Sequence, residues 1–259
     1  MPHPQRIGLM AAMPEELQAV LDAMPDESPR QLSSRSFWCG HLDGVEVVAV
    51  LSGIGKVAAA ITTTLLIHEF KVDALLFTGV AGGLAPVARV GDIVVADTLV
   101  QHDLDASPIF PRYEIPGRGR SHLPASADWS ARVRDAATRA LRPEHLHAGP
   151  GAVAAHLQAL GVVEPQVHTG LILSGDRFVS SRAESRALRQ AFPQALAVEM
   201  EGAAVAQVCT DSDLPFAVVR TLSDRADDDA HPDFMRFVDQ VARHYSLAVV
   251  RATLASLKP

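Results

Sequence analysis

One pattern repeats along this chain and constrains its fold more than any other feature. A short apolar run ends in a turn rich in glycine or acid, and in most cases a segment with helical periodicity follows. Ile7 to Ala12 runs into Met13-Pro14-Glu15-Glu16, Val45 to Leu51 into Ser52-Gly53-Ile54-Gly55-Lys56, and Val72 to Thr78 into Gly79-Val80-Ala81-Gly82-Gly83. Gly170 to Ser174 ends at Gly175-Asp176, Ala197 to Met200 at Glu201, and Pro215 to Leu222 at Ser223-Asp224. Such alternation predicts an α/β fold, a sheet layered between helices.

The first helix shows the logic. Pro14 suits the first helical position, Glu15 and Glu16 sit where the helix dipole favours acids, and Leu17, Val20, Leu21 and Met24 recur at helical spacing until Pro25. The same reading predicts helices over Val57–Phe70, Asp128–Leu141, Ala152–Leu160, Ser181–Phe192, Glu201–Cys209 and Pro232–Leu257, and a strand over Asp92–Val100. Asp43-Gly44 between Phe37–His41 and Val45–Leu51 predicts a hairpin, so the sheet is mixed. Gly79 to Gly83 reads as a tight turn and His102 to Ala125, punctuated by Pro108, Pro111, Pro116 and Pro124, as a long loop. With no Pro/Gly/Ser linker between apolar halves, residues 1–259 read as a single domain.

Composition narrows the function classes. Lys plus Arg is 23 against 30 Asp plus Glu, a net charge of −7, which argues against nucleic acid as a partner. A chain that is 48% hydrophobic and 20% charged is not a disordered one. Two cysteines, Cys39 and Cys209, are too few for a disulfide framework and suit a reducing compartment. No apolar run approaches the ~18 residues of a membrane span, and the N-terminus lacks the apolar stretch of a signal peptide. The reading is a cytoplasmic protein with no membrane partner.

Ligands of open α/β sheets bind beyond the carboxyl ends of strands. Glu16, Glu201 and Asp224 each stand at such an end, and three converging acids suit general acid/base chemistry on a polar, neutral substrate. The plainer reading, acids that cap helices or loops, carries even weight for all three. Gly53-Ile54-Gly55-Lys56 lacks the spacing of a phosphate loop, and Gly79 to Gly83 is not a dinucleotide fingerprint. His102, Asp103 and Asp105, and Asp227, Asp228, Asp229 and His231, lack metal-ligand spacing and read as solvated loop charge. Neither cysteine stands in a nucleophile's setting, and no GxSxG elbow supports serine catalysis.

Taken in order, SGIGKVAAA from Ser52, TGVAGGLA from Thr78, VGDIVVAD from Val90, SGDRFV from Ser174, AVEMEGAAVAQVC from Ala197 and VVRTLSD from Val218 resemble the 5'-methylthioadenosine/S-adenosylhomocysteine nucleosidases, as does IGLMAAMPEEL at the start. These enzymes belong with the nucleoside phosphorylases. The resemblance runs from Ile7 into the last helix. It implies a single α/β domain with a twisted mixed sheet, a homodimer, no metal and no organic cofactor. It implies hydrolysis of the N-glycosidic bond of adenosine thioethers to adenine and a thioribose.

Carried over motif by motif, the resemblance makes Glu16 the acid that activates water and Asp224 the acid that protonates adenine. Met200 and Glu201 hold the ribose, Phe178 stacks on the base, Val179 meets it through backbone groups, and Gly82 lies in the cradle beneath. Ile54, Ser223 and Phe234 complete the substrate-binding set. The general-acid role needs a raised pKa at Asp224. Val80 stands where many bacterial members of the family carry serine. The loop with Phe110, Pro111 and Tyr113, which in the family reaches the partner subunit's thioalkyl pocket, also differs, as does the length of the 141–167 segment. Three other readings stay open. One is a phosphorolytic purine nucleoside phosphorylase, with Arg89, Arg220 and Lys56 as candidate phosphate ligands. Another is a futalosine-type nucleoside hydrolase, and the third a nucleoside-binding protein without catalysis.

Overall fold

A computed structural model describes residues 6–146, 153–162 and 164–257. The apolar runs form the interior of one sheet. Strand β1 (Arg6–Ala11) lies parallel to both β4 (Val45–Leu51) and β5 (Ala74–Phe77), with Leu9 opposite Ala49 and Leu76. The predicted hairpin joins β3 (Arg35–Leu42) to β4, and Asp43 and Gly44 both take positive φ at its tip.

The remaining strands are β6 (Val80–Gly83), β7 (Ile93–Gln101), β8 (His122–Pro124), β9 (Val167–Ser174), β10 (Ala195–Glu199) and β11 (Phe216–Asp224). With β2 (Ser28–Leu32) at one edge, the order is β2-β3-β4-β1-β5-β11-β6-β10-β9-β7-β8. Every residue of β11 is buried, because three strands share it: Phe216 to Val218 pair with β5, Val219 to Thr221 with β7, and Thr221 to Asp224 with β6. The β11–β7 pairing closes β11, β6, β10, β9 and β7 into a ring. The carboxyl end of β11, which delivers Ser223 and Asp224, is held against β6.

Helices cover both faces. On one, α1 (Pro14–Leu21), α3 (Ala127–Ala140) and α9 (Arg243–Ala255) pack Leu17, Val133 and Val250 onto Leu9, Leu76 and Val95. On the other, α2 (Lys56–His68) and α7 (Gly202–Asp211) bring Ala59, Leu66, Val205 and Cys209 against Phe77, Val94 and Val218. Burying each such Leu or Val contributes ~1.5–3 kcal/mol. Helix α6 (Arg182–Ala191) starts at Ser181, whose hydroxyl caps the amide of Glu184. Among the described residues no helix is long and apolar enough to cross a membrane.

Three expectations need correction, and one strand, β2, was not foreseen. The Gly79–Gly83 turn is in part a strand, since residues 80–83 hydrogen-bond on both sides, parallel to β11 and antiparallel to β10. The long loop contains β8, paired with β7 through Leu99 and Leu123. Strand β2 has no apolar alternation to announce it, because as an exposed edge it pairs only with β3. The terminal helix is two, α8 (Ala230–Phe237) and α9, joined by a π-helical turn over Val238–Ala242. The helix expected over Ala152–Leu160 is α5 (Val153–Ala159), with Ala152 outside the described residues, and α4 is a single turn over Pro143–Leu146.

Candidate active site

The strand ends open into a cleft of about 660 Å³, measured out to the solvent. All ten residues singled out from the sequence line it: Glu16, Ile54, Gly82, Phe178, Val179, Met200, Glu201, Ser223, Asp224 and Phe234. They come from seven separate places in the chain and meet where the carboxyl ends of β10 and β11 flank β6.

Glu16 is fully buried on α1. Its Oε2 accepts from the amides of Met13 (3.1 Å) and Ala12 (3.3 Å), the capping geometry that acids in a first turn adopt. Its Oε1 makes no hydrogen bond of normal geometry, although the Val80 amide lies close enough to favour the charge. That oxygen points toward Gly79, where an added Cβ would sit 3.2 Å from it. Burial pushes the Glu16 pKa up to about 7, against the opposing charge of Arg220 and the amides of Met13, Ala12 and Val80.

Glu201 is also buried, and although it stands at the start of α7 it does not cap that helix. Its Oε1 instead accepts from the amide of Gly55 at 2.8 Å, across the cleft. Burial raises its pKa, and the neighbouring charge of Glu199 raises it further.

The capping is done by Glu199, a residue the sequence reading passed over. Its carboxylate accepts from the amides of Glu201 and Gly202 and from the hydroxyl of Ser174. It also binds the guanidinium of Arg220 at 2.7 Å, with both side chains almost wholly buried. Arg220 lies over the ring of Phe77, 3.9 Å from its centroid, and donates to the carbonyls of Phe77 and Val219. The signal for this pair was available in principle: an Arg inside the apolar run Phe216–Leu222 must find an anion to be buried.

Asp224 closes the cleft at the end of β11. Its Oδ2 accepts from the hydroxyl of Ser223 at 2.7 Å, and its Oδ1 from the amide of Ala226 at 2.8 Å. Gly82 lies directly against it. An added Cβ there would come within 2.9 Å of both Asp224 Oδ1 and the Ala226 Cβ, which explains glycine in a strand. Phe178, 40% exposed, meets Phe234 edge-on with centroids 5.6 Å apart, so two rings wall one side of the mouth. Arg177 also lines the cleft, held by Glu184 at 2.5 Å.

Of the charges read as solvated loop acids, Asp105 and Asp228 stay largely exposed, and Asp103 is the more shielded. Asp103 binds Lys56, Asp105 faces Arg112, and Asp228 faces Arg182. Burial pushes both thiols up, at Cys209 and less at Cys39, which fits the reading of inert cysteines.

The family model described as the phosphorylase superfamily matches residues 6–255. The chain belongs to the phosphorylase superfamily. Among solved structures, the 5'-methylthioadenosine/S-adenosylhomocysteine nucleosidase of Neisseria meningitidis, in complex with methylthio-immucillin-A, is 31% identical with a TM-score of 0.82. That match covers 97% of this chain and 99% of the other. The S-adenosylhomocysteine nucleosidase of Streptococcus pyogenes, in complex with 5-methylthiotubericidin, is 32% identical over 100% of this chain and 99% of that one, with a TM-score of 0.83. The futalosine hydrolase of Helicobacter pylori is 31% identical over 97% and 98%, with a TM-score of 0.81. These three structures thus share the fold of this chain over nearly their whole length.

Proposed function

We propose that this superfamily member hydrolyses the N-glycosidic bond of 5'-methylthioadenosine and S-adenosylhomocysteine, releasing adenine and a 5-thioribose. The observation that carries the reading is the convergence of Glu16, Glu201 and Asp224 on one cleft, with one oxygen of Glu16 unengaged. Relatives at 31–32% identity, covered almost end to end, are nucleosidases of this kind.

The roles follow from chemistry. The ribose becomes oxocarbenium-like as the bond breaks, and carboxylates beside it stabilise that charge. Glu16, with a pKa about 7, accepts a proton from the attacking water through Oε1. Glu201 receives hydroxyl hydrogen bonds of the ribose on the oxygen that Gly55 does not occupy, beside Met200. Asp224 gives the adenine ring a proton, so the base leaves neutral. Phe178 stacks on the base, with Val179 and Gly82 against its edge and face and Phe234 and Ile54 at the mouth.

Phosphorolysis is the weaker reading. Of its three candidate cations, Arg220 is held by Glu199 and Lys56 by Asp103, while Arg89 lines a separate cavity with Asp92 and Glu164. A phosphate entering beside the ribose would face Glu16 and Glu201 instead of a free cation. We further propose a homodimer acting without metal or organic cofactor, in the cytoplasm. Ile54, Val57 and Ile61 are 63%, 71% and 44% exposed at the mouth and along α2, an apolar stripe that a second subunit would cover.

The test is adenine release from methylthioadenosine in phosphate-free buffer, repeated with phosphate and with futalosine. Turnover without phosphate is expected. A strict phosphate requirement would replace this reading with phosphorolysis, and turnover of futalosine alone would replace the adenosine thioethers as substrates.

A further inference from the structure

The loop that carries Phe178 and Val179 has almost no apolar anchoring of its own at Asp176 and Arg177, both exposed. Val179 anchors in the apolar cluster with Val100 and Leu173, and the residues before it are fastened by polar contacts. The carboxylate of Asp176 accepts from the amide of Lys56 at 2.7 Å and lies 3.7 Å from its ammonium. The amide of Asp176 donates to Asp103 Oδ2 at 2.8 Å, and Asp103 Oδ1 receives Lys56 Nζ at 2.5 Å. Three segments thus close on one another: the end of β7, the β9–α6 loop and the start of α2. Lys56 is only 16% exposed, so its charge is shielded from the solvent.

Two of the segments lead directly to the cleft, and the third, with His102 and Asp103, packs against them. Gly55, one residue before Lys56, holds Glu201 through its amide, and its φ of 97° leaves room for Asp176 Oδ1, which an added Cβ would approach to 3.1 Å. Asp176 stands two residues before Phe178. Glycine at 175 gives way to the ring of His102, next to Asp103.

We infer that Lys56, bridged to Asp103 and Asp176, is a positioning residue that sets the distance between the base-stacking loop and the Gly55–Glu201 contact. It touches no reacting atom. It fixes Phe178 relative to Glu201 and so determines how well base and ribose are held at once. The inference rests on the function proposed above only for what occupies the cleft; the latch itself is a property of the empty protein.

Lys56→Met keeps the stem and removes the charge, while Lys56→Arg keeps the charge. With methylthioadenosine as the probe, Lys56→Met should raise KM about tenfold or more and change kcat less than about threefold. Lys56→Arg should recover most of the KM. Asp103→Asn should act in the same direction, and adding it to Lys56→Met should cost little more, because both break one contact set. In the ligand-free chain, amide hydrogen exchange over residues 175–179 and 53–56 should speed up in Lys56→Met and not elsewhere in the sheet. Unchanged KM and unchanged exchange in a folded Lys56→Met would overturn the inference. So would a fall confined to kcat that Arg does not rescue. If Lys56→Met fails to fold, Asp103→Asn decides by the same two readouts. If the wild-type chain releases no adenine, the proposed function fails, and the exchange comparison still decides the latch.

Discussion

Glu16 illustrates how a single residue can be costly to the fold and useful to the reaction. Its carboxyl is fully buried with one oxygen capping α1 and the other unengaged. Because its pKa is raised from 4.5 to about 7, the folded chain holds this proton more tightly than the unfolded one. The resulting destabilisation is absent below pH 4.5, grows as pH rises, and is complete above about pH 7. Glu16→Gln should therefore melt several degrees higher than wild type at pH 8, a gain on the order of 1–3 kcal/mol, with no gain at pH 4.5. The same variant should lose at least ~100-fold in turnover. For wild type, kcat/KM should fall as pH drops through about 7, where the base takes up its proton. Melting scans at the two pH values and a pH–rate profile check all three; near-normal turnover in the folded variant would return Glu16 to a capping role.

Asp224 is separable from Glu16 by leaving group. If it protonates adenine, Asp224→Asn should lose kcat heavily on methylthioadenosine. On a nitrophenyl riboside with the same 5' thioether, whose leaving group needs no proton, the loss should be much smaller. Glu16→Gln should hurt both, since both need water. Equal kcat losses for Asp224→Asn on the two substrates would show that Asp224 binds the base without protonating it.

At the scale of the element, β6 carries the site through its two glycines. Its glycines let Asp224 and the 224–226 turn lie against the strand, with β10 on its other edge. Gly82→Ala should drive a methyl into the Ala226 Cβ and Asp224 Oδ1, each at 2.9 Å. Overpacking of this kind costs ~1–3 kcal/mol, and here the displaced group is the proposed general acid. The expected result is a melting temperature lower by a few degrees, an unchanged far-ultraviolet spectrum and at least a tenfold fall in adenine release. Wild-type melting and turnover would mean that β6 yields without moving Asp224.

At the scale of the molecule, the exposed face of α2 and the 102–121 loop set the question of assembly. Ile109 is 81% exposed, while Tyr113 of the same loop is folded back onto Phe192, with centroids 4.8 Å apart. The chain should sediment as a dimer at micromolar concentration, and Val57→Asp should weaken it to monomer while lowering activity through the adjoining cleft mouth. A wild-type monomer with full activity would remove the dimer from the account.

Much of this was legible in the residues. The apolar runs ending in glycine or acid specified strands whose ends carry the site, because burial of a strand and exposure of its terminus are both written in local polarity. The hairpin at Asp43-Gly44 was specified by the positive φ that its tip requires. Local polarity said nothing of β2, which has no buried face, nor of β6, whose glycines encode no alternation and become a strand only because β10 and β11 offer hydrogen bonds on both sides. The roles of the acids divided in the same way. Glu199 and Glu201 stand two residues apart and look interchangeable in the sequence, yet one faces Arg220 and caps α7 while the other faces Gly55 and the cleft. Which carboxylate is neutralised and which is left poised depends on an arginine 21 residues away and a glycine 146 residues away. Contacts at that separation exist only once the sheet has closed.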